Sequence, residues 1–111
     1  MIITVLTLFP KIFESPFQES IIKKAVEKGL VSFNIVNIRD FANDVHRTCD
    51  DTPYGGGPGM VMKIEPIYKA MECVNANGIR PKHILLTPQG RLLNEETALR
   101  LARNPHLSLM C

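Results

Sequence analysis

The sequence predicts an α/β protein, a largely parallel sheet with helices flanking it. Hydrophobic periodicity along the chain switches repeatedly between the two-residue repeat of strands and the 3.6-residue repeat of helices. The first stretch, Ile2 to Leu8, is β-branched and nearly continuous in apolar character, as expected of a strand covered on both faces. Each helical stretch separates two strand stretches. That is the order that joins parallel neighbours through right-handed crossovers. Strand order does not follow from these observations.

The elements come in sequence. After the first strand, Ser15-Pro16-Phe17-Gln18 reads as a helix start. Ser15 can cap, Pro16 sits where no N–H is needed, and Gln18 completes a capping box. Phe17, Ile21 and Ala25 then share one face, Glu19 and Lys23 are spaced to pair, and Gly29 stops the helix. Val31, Phe33 and Ile35 alternate with polar neighbours and predict a second strand ending near Ile38. A helix is expected from Pro66, with Ile67, Ala70, Met71 and Val74 on its apolar face and Asn77-Gly78 at its end. His83 to Leu86 reads as a third strand. Asn94 caps a third helix with Glu95 and Glu96 in its first turn, Arg100 and Arg103 late, and Pro105 beyond. Leu107 to Cys111 is the fourth strand.

The bulk composition narrows the class. A chain of 111 residues fits one domain, and 45% hydrophobic with 22% charged residues describes a globular protein rather than a disordered one. A net charge of +2 permits a nucleic-acid partner without arguing for one. No stretch approaches the roughly 20 apolar residues of a membrane span. The apolar start lacks the basic region and cleavage site of a signal peptide. The three cysteines (Cys49, Cys73, Cys111) are odd in number and lack CxxC spacing. They read as structural thiols in a reducing, cytoplasmic setting rather than as a disulfide framework or a zinc site.

Two features depart from a tidy domain. Arg39 to Glu65 is a connection of about 27 residues without periodicity, a length that is usually functional or disordered. The chain also stops in an apolar strand, where polar fraying is normal. The expectation is a longer parent protein, with Leu107–Cys111 left unpaired and apolar in this portion.

Within the long connection, Asp50-Asp51-Thr52-Pro53-Tyr54-Gly55-Gly56-Gly57-Pro58-Gly59-Met60 holds four of the seven glycines. It is not a phosphate cradle. A P-loop places its second glycine and a lysine where this chain has Met60 and Val61, and GxGxxG also fails at Met60. Pro58 interrupts the row of N–H donors. Glycines do permit close backbone approach and positive φ, while Pro53 and Pro58 limit the loop's freedom. His46 near Asp50 can serve as an orienting pair, a proton-transfer site or plain loop hydrogen bonding. Arg39 and Arg47 are candidate phosphate contacts. Two aspartates and one histidine are too few for a metal cage, so no metal ligand is assigned. Leu85-Leu86-Thr87-Pro88-Gln89-Gly90-Arg91 runs from a strand's carboxyl end into a turn, the place where ligands sit in open parallel sheets.

These segments occur together in one family. Leu8-Phe9-Pro10, Arg39-Asp40-Phe41, His46-Arg47-Thr48, the glycine stretch and Leu86 to Arg91, in this order, resemble the N-terminal part of bacterial tRNA (guanine-N1)-methyltransferases of the SPOUT, or trefoil-knot, superfamily. The resemblance covers the whole chain. It implies an S-adenosylmethionine-dependent enzyme that methylates N1 of the guanosine 3′ to the tRNA anticodon. It implies a cytoplasmic homodimer with sites at the subunit interface and no membrane association; a Mg²⁺ requirement stays open. Matching positions imply that Leu85, Leu86, Thr87 and Pro88 line the methyl-donor pocket. They also imply that His46, Asp50, Pro53, Gly55 and Gly59 belong to the loop facing donor and guanosine, with Arg47 as a tRNA contact. Residues 1–111 would then be the N-terminal part of the SPOUT domain, truncated before most of its knot, with the C-terminal tRNA-binding domain absent. The catalytic aspartate and its arginine partner would lie outside these residues, so the fragment alone is expected to be inactive. The alternative is a stand-alone, non-catalytic binding or dimerisation module.

Overall fold

A computed structural model describes all residues, 1–111. Four strands form one wholly parallel sheet: β1 (Ile2–Thr7), β2 (Ser32–Asn37), β5 (Lys82–Leu85) and β6 (His106–Met110), in the order β2-β1-β6-β5. A second, two-stranded antiparallel ladder joins β3 (Asp50–Asp51) to β4 (Val61–Met62). The predicted α/β class with a largely parallel sheet is what is found.

Register divides the central strands into two faces. Ile2 lies opposite His106, Thr4 opposite Ser108 and Leu6 opposite Met110. This face receives α3 (Ile64–Ala76), whose Ala70 and Val74 join Leu6, Ile38 and Cys49 in the buried core, with Ile67 and Met71 packed around it. The predicted face of this helix is therefore the one that packs. The helix starts two residues earlier than Pro66, which falls in the first turn, where an N–H has no intrahelical partner to lose. On the other face, Ile84, Leu107 and Leu109 look toward α4 (Glu95–Ala102), capped by Asn94, whose Oδ1 accepts from Thr97 N at 2.9 Å. Asn104 adds a cap at the other end, donating to Leu101 O at 3.0 Å.

The first helix departs from expectation. It is split into a 3₁₀ turn (Pro10–Phe13), a single turn α1 (Glu14–Phe17) and α2 (Ser20–Glu27). Ser15 makes no capping bond, and the break passes through Ser20 with φ +51°. The cause is aromatic packing. Phe17 stacks on Phe33 of β2 with ring centroids 3.9 Å apart, and Phe13 leans on Phe17 at 5.6 Å. Holding Phe17 over the sheet forces α2 to restart in another direction, so its inner face carries Ile22 and Ala25 while Ile21 is 76% exposed. Glu19 becomes the residue before α2 and forms no ion pair with Lys23. Gly29 does end the helix, at φ +69° with Leu30 N donating to Ala25 O at 3.0 Å.

The fourth strand also corrects an expectation. Leu107–Met110 are not unpaired: β6 lies inside the sheet, bonded to β1 on one side and β5 on the other. Leu107 and Ser108 are buried. Its position was invisible in sequence because nothing local tells a strand which neighbours it will have.

Candidate functional site

The long connection is a built structure rather than an unstructured loop. Its first turn, the 3₁₀ segment Ile38–Phe41, is capped by Asn37, whose Oδ1 accepts from Arg39 N at 3.0 Å, and buries Ile38. Asp44 then organises a bend, accepting from Thr48 N at 2.8 Å and from Thr48 Oγ1 at 2.5 Å. Those two bonds hold the Asp44 carboxyl below its ordinary pKa. Cys49 follows, fully buried in the core beside Leu6, Ala70 and Val74. Burial pushes its thiol pKa up, which makes it an inert anchor rather than a nucleophile.

From that anchor a hairpin projects. Asp50 pairs with Met62 and Asp51 with Val61, and Lys63 N closes the base on Cys49 O at 2.7 Å. The glycine stretch is its tip. Gly56 N donates to Pro53 O at 3.2 Å to make the tip turn, and Tyr54 stands fully exposed. Asp51, Pro53, Tyr54, Gly55, Val61, Met62 and the base residues Lys63 to Glu65 line a concave space of about 700 Å³ along this hairpin.

His46 and Arg47 lie on the bend that precedes it in the chain. His46 is exposed and makes no hydrogen bond to Asp50, so the two are neighbours in sequence rather than a preformed pair. Arg47 has φ +51°, and its guanidinium meets Asp40 Oδ1 at 3.1 Å with both groups more than half exposed. A solvated pair of this kind is weakly held and leaves the arginine available for a phosphate.

Leu85 and Leu86 sit elsewhere, at the carboxyl end of β5. Leu85 is 65% exposed and Leu86 53%. Thr87 to Gly90 form a turn in which Gly90 N donates to Thr87 O at 3.1 Å, and a Cβ on Gly90 would lie 3.2 Å from that oxygen. Leu85, Leu86 and Thr87 line one wall of a cavity of about 750 Å³, with Leu93, Leu101, Leu107 and Leu109 among the others. Its size suits a small-molecule ligand, and ten of its fifteen lining residues are hydrophobic. Arg91 and Arg100 are also on the wall. Pro88 is part of the turn but not of this wall. The hairpin space and this cavity share no residue. The structure thus places Leu85, Leu86 and Thr87 on the strand-end cavity and Pro53 and Gly55 on the hairpin space, while Pro88, His46, Arg47, Asp50 and Gly59 line neither. No cluster of three His, Cys, Asp or Glu side chains forms a metal site, and no helix is long and apolar enough to cross a membrane.

Comparison with known proteins gives this geometry a family. A model of the family tRNA (Guanine-1)-methyltransferase TrmD matches residues 1–111, the whole chain. The chain belongs to the tRNA (guanine-1)-methyltransferase family. It is 50% identical over 111 residues to a tRNA (guanine-N(1)-)-methyltransferase of Carboxydothermus hydrogenoformans, covering all of this chain and 43% of that protein. It is 51% identical over 112 residues to one of Dehalococcoides mccartyi, covering 45% of it. The crystal structure of tRNA (m1G37) methyltransferase from Aquifex aeolicus superposes with a TM-score of 0.92 at 36% identity, over all of this chain and 50% of that one. The chain therefore spans less than half the length of these two relatives. Within the methyltransferase family assignment, sequence reasoning missed Asn43, Glu65 and Lys69, which tie the long connection to α3. Only the i, i+4 spacing of Glu65 and Lys69 was a legible signal.

Proposed function

We propose that residues 1–111 are the N-terminal part of a tRNA (guanine-N1)-methyltransferase. It uses S-adenosylmethionine to methylate N1 of the guanosine 3′ to the anticodon, as a cytoplasmic homodimer. The observation that carries this reading is the family match over every residue of the chain. The strand-end cavity suits the donor: an apolar wall for the adenine and the aliphatic part of the methionine chain, and Arg91 and Arg100 for its carboxylate. Leu85, Leu86 and Thr87 would hold it, with Pro88 shaping the adjoining turn, and when bound it supplies an electrophilic methyl group.

The hairpin does the other half of the work. Its tip offers glycine backbone and Pro53 as a wall against the target base, with Asp50, in the first hairpin strand, and His46, on the preceding bend, as supporting groups. Arg47 contributes a phosphate contact that positions tRNA without reading sequence. N1 of guanine is weakly acidic, so its attack needs a base and a stabilised guanine oxygen. Those two groups come from residues outside 1–111, and the fragment alone is expected to be inactive. In the proposed homodimer the hairpin of one copy would meet the strand-end cavity of the other; within one copy the two share no residue. A Mg²⁺ dependence would rest on groups other than Asp50 and Asp51, which lack a third ligand.

The test is methyl incorporation by the full-length protein into a tRNA carrying that guanosine, with donor present. No incorporation would end the reading and favour the stand-alone binding module. Asp50→Ala should lower turnover more than donor affinity. Equal losses would make Asp50 a structural residue.

A further inference from the structure

We infer that Asn43, Glu65 and Lys69 form a clasp that orients the glycine hairpin, with Asn43 as a positioning residue for the reaction. In its activity arm this rests on the function proposed above. Asn43 Nδ2 donates to Glu65 Oε1 at 2.6 Å, Lys69 Nζ donates to Asn43 Oδ1 at 2.7 Å, and Lys69 Nζ meets Glu65 Oε1 at 2.9 Å. The three contacts close a ring. Its partners also settle the amide's orientation, since a carboxylate only accepts and an ammonium only donates.

The ring joins two different places. Glu65 and Lys69 lie one turn apart on α3, a rigid element packed into the core, and Glu65 sits in its first turn, where a carboxylate is favoured. Asn43 is the only member from the bend that carries His46 and Arg47. The hairpin is fixed at Cys49 and Lys63, but the side-chain bonds of Asp51 and Thr52 and the tip turn are all local. The clasp is therefore the side-chain tie between the bend before the first hairpin strand and the foot of the second. It holds His46, Arg47 and the glycine tip in one mutual orientation.

Asparagine is required by the chemistry. A carboxylate at position 43 would still accept from Lys69 but would repel Glu65. Exchanging the two functions, with Asn43→Asp and Glu65→Gln together, restores one donor, one acceptor and the lysine contact.

The experiment uses the full-length protein and follows amide hydrogen exchange over residues 44–60, thermal midpoint, donor affinity and kcat with tRNA. Asn43→Ala is expected to speed exchange over 44–60 by about two- to fivefold, as for an exposed ion-pair network, and to lower kcat by a similar factor. Donor affinity should stay as in the wild type. Asn43→Asp should be worse than Asn43→Ala, and Asn43→Asp with Glu65→Gln should recover. Unchanged exchange in both single variants, or no recovery in the double variant, would overturn the clasp. Faster exchange with unaltered kcat would overturn the positioning role, as would a uniform rise in exchange with a lowered thermal midpoint. A wild-type protein inactive on tRNA would instead refute the functional reading, and the exchange measurements would still decide the clasp.

Discussion

Gly59 and Gly57 separate two reasons for placing glycine in the hairpin tip. Gly59 has φ +88°, and a Cβ built there meets nothing within 4 Å. Gly59→Ala therefore carries no steric clash within the chain, only the cost of left-handed backbone, roughly 1–2 kcal/mol for an L-residue. Its φ lies past the usual left-handed range, which places the cost toward the upper end. Gly57 is not in the left-handed region, and a Cβ there touches only Pro53 Cγ at 4.0 Å, an ordinary contact. Gly57→Ala should be neutral, or stabilising by up to about 1 kcal/mol through the unfolded chain. Urea denaturation of the two variants, with hydrogen exchange over the tip, measures the difference. Equal destabilisation of both would refute the argument from φ. Function then separates from stability. If the tip is a backbone wall against donor and guanosine, the stable Gly57→Ala variant should lose methyl transfer because its methyl group occupies the approach path. Wild-type turnover in that variant would refute the wall.

Other outcomes follow from the core and the buried polar groups. Leu6 is fully buried among Ile38, Cys49, Ala70 and Val74, so Leu6→Ala should cost about 2–5 kcal/mol in chemical denaturation. His106 donates from Nδ1 to Ile79 O at 2.5 Å, which leaves Nε2 to accept from Thr4 Oγ1 at 2.8 Å. Thr4→Val orphans that buried nitrogen and should cost about 1–3 kcal/mol, seen as a lower urea midpoint with unchanged slope. His83 has its pKa lowered from 6.5 by burial first, then by Arg80 and His106, and its Nδ1 has no partner. Between the folded and unfolded values the unfolded chain binds the extra proton, so stability falls as pH drops from about 6.5 through the lowered folded value. A His83→Gln variant should lack that component in thermal midpoints measured on either side of this window. Glu65 also lies below its ordinary 4.5, held by Lys69 and then Asn43, so the clasp persists above 4.5 and loosens as pH falls through the lowered value. Faster exchange over residues 44–60 in that acid range would record it.

The elements of this protein were written locally. Unbroken apolar character made β1 a covered strand, Asn94 with two glutamates started α4, Gly29 ended α2, and the missing lysine and interrupted N–H row excluded a phosphate loop. These are decisions of near neighbours, and a sequence displays near neighbours. The sequence also carried the motifs that place the chain in its family. What needed the tertiary structure was everything set by distant partners. Phe33, outside the first helical stretch, broke that helix by stacking on Phe17. β6 became an interior strand because β1 and β5 had backbone groups to offer on both sides. Cys49, bland in sequence, anchored the hairpin because α3 and β1 enclose it. Asn43 gained its role only when folding carried it to Glu65 and Lys69, more than twenty residues along the chain. The separation of the hairpin space from the strand-end cavity is likewise a fact of three dimensions, fixed by which side of the core each chain segment leaves.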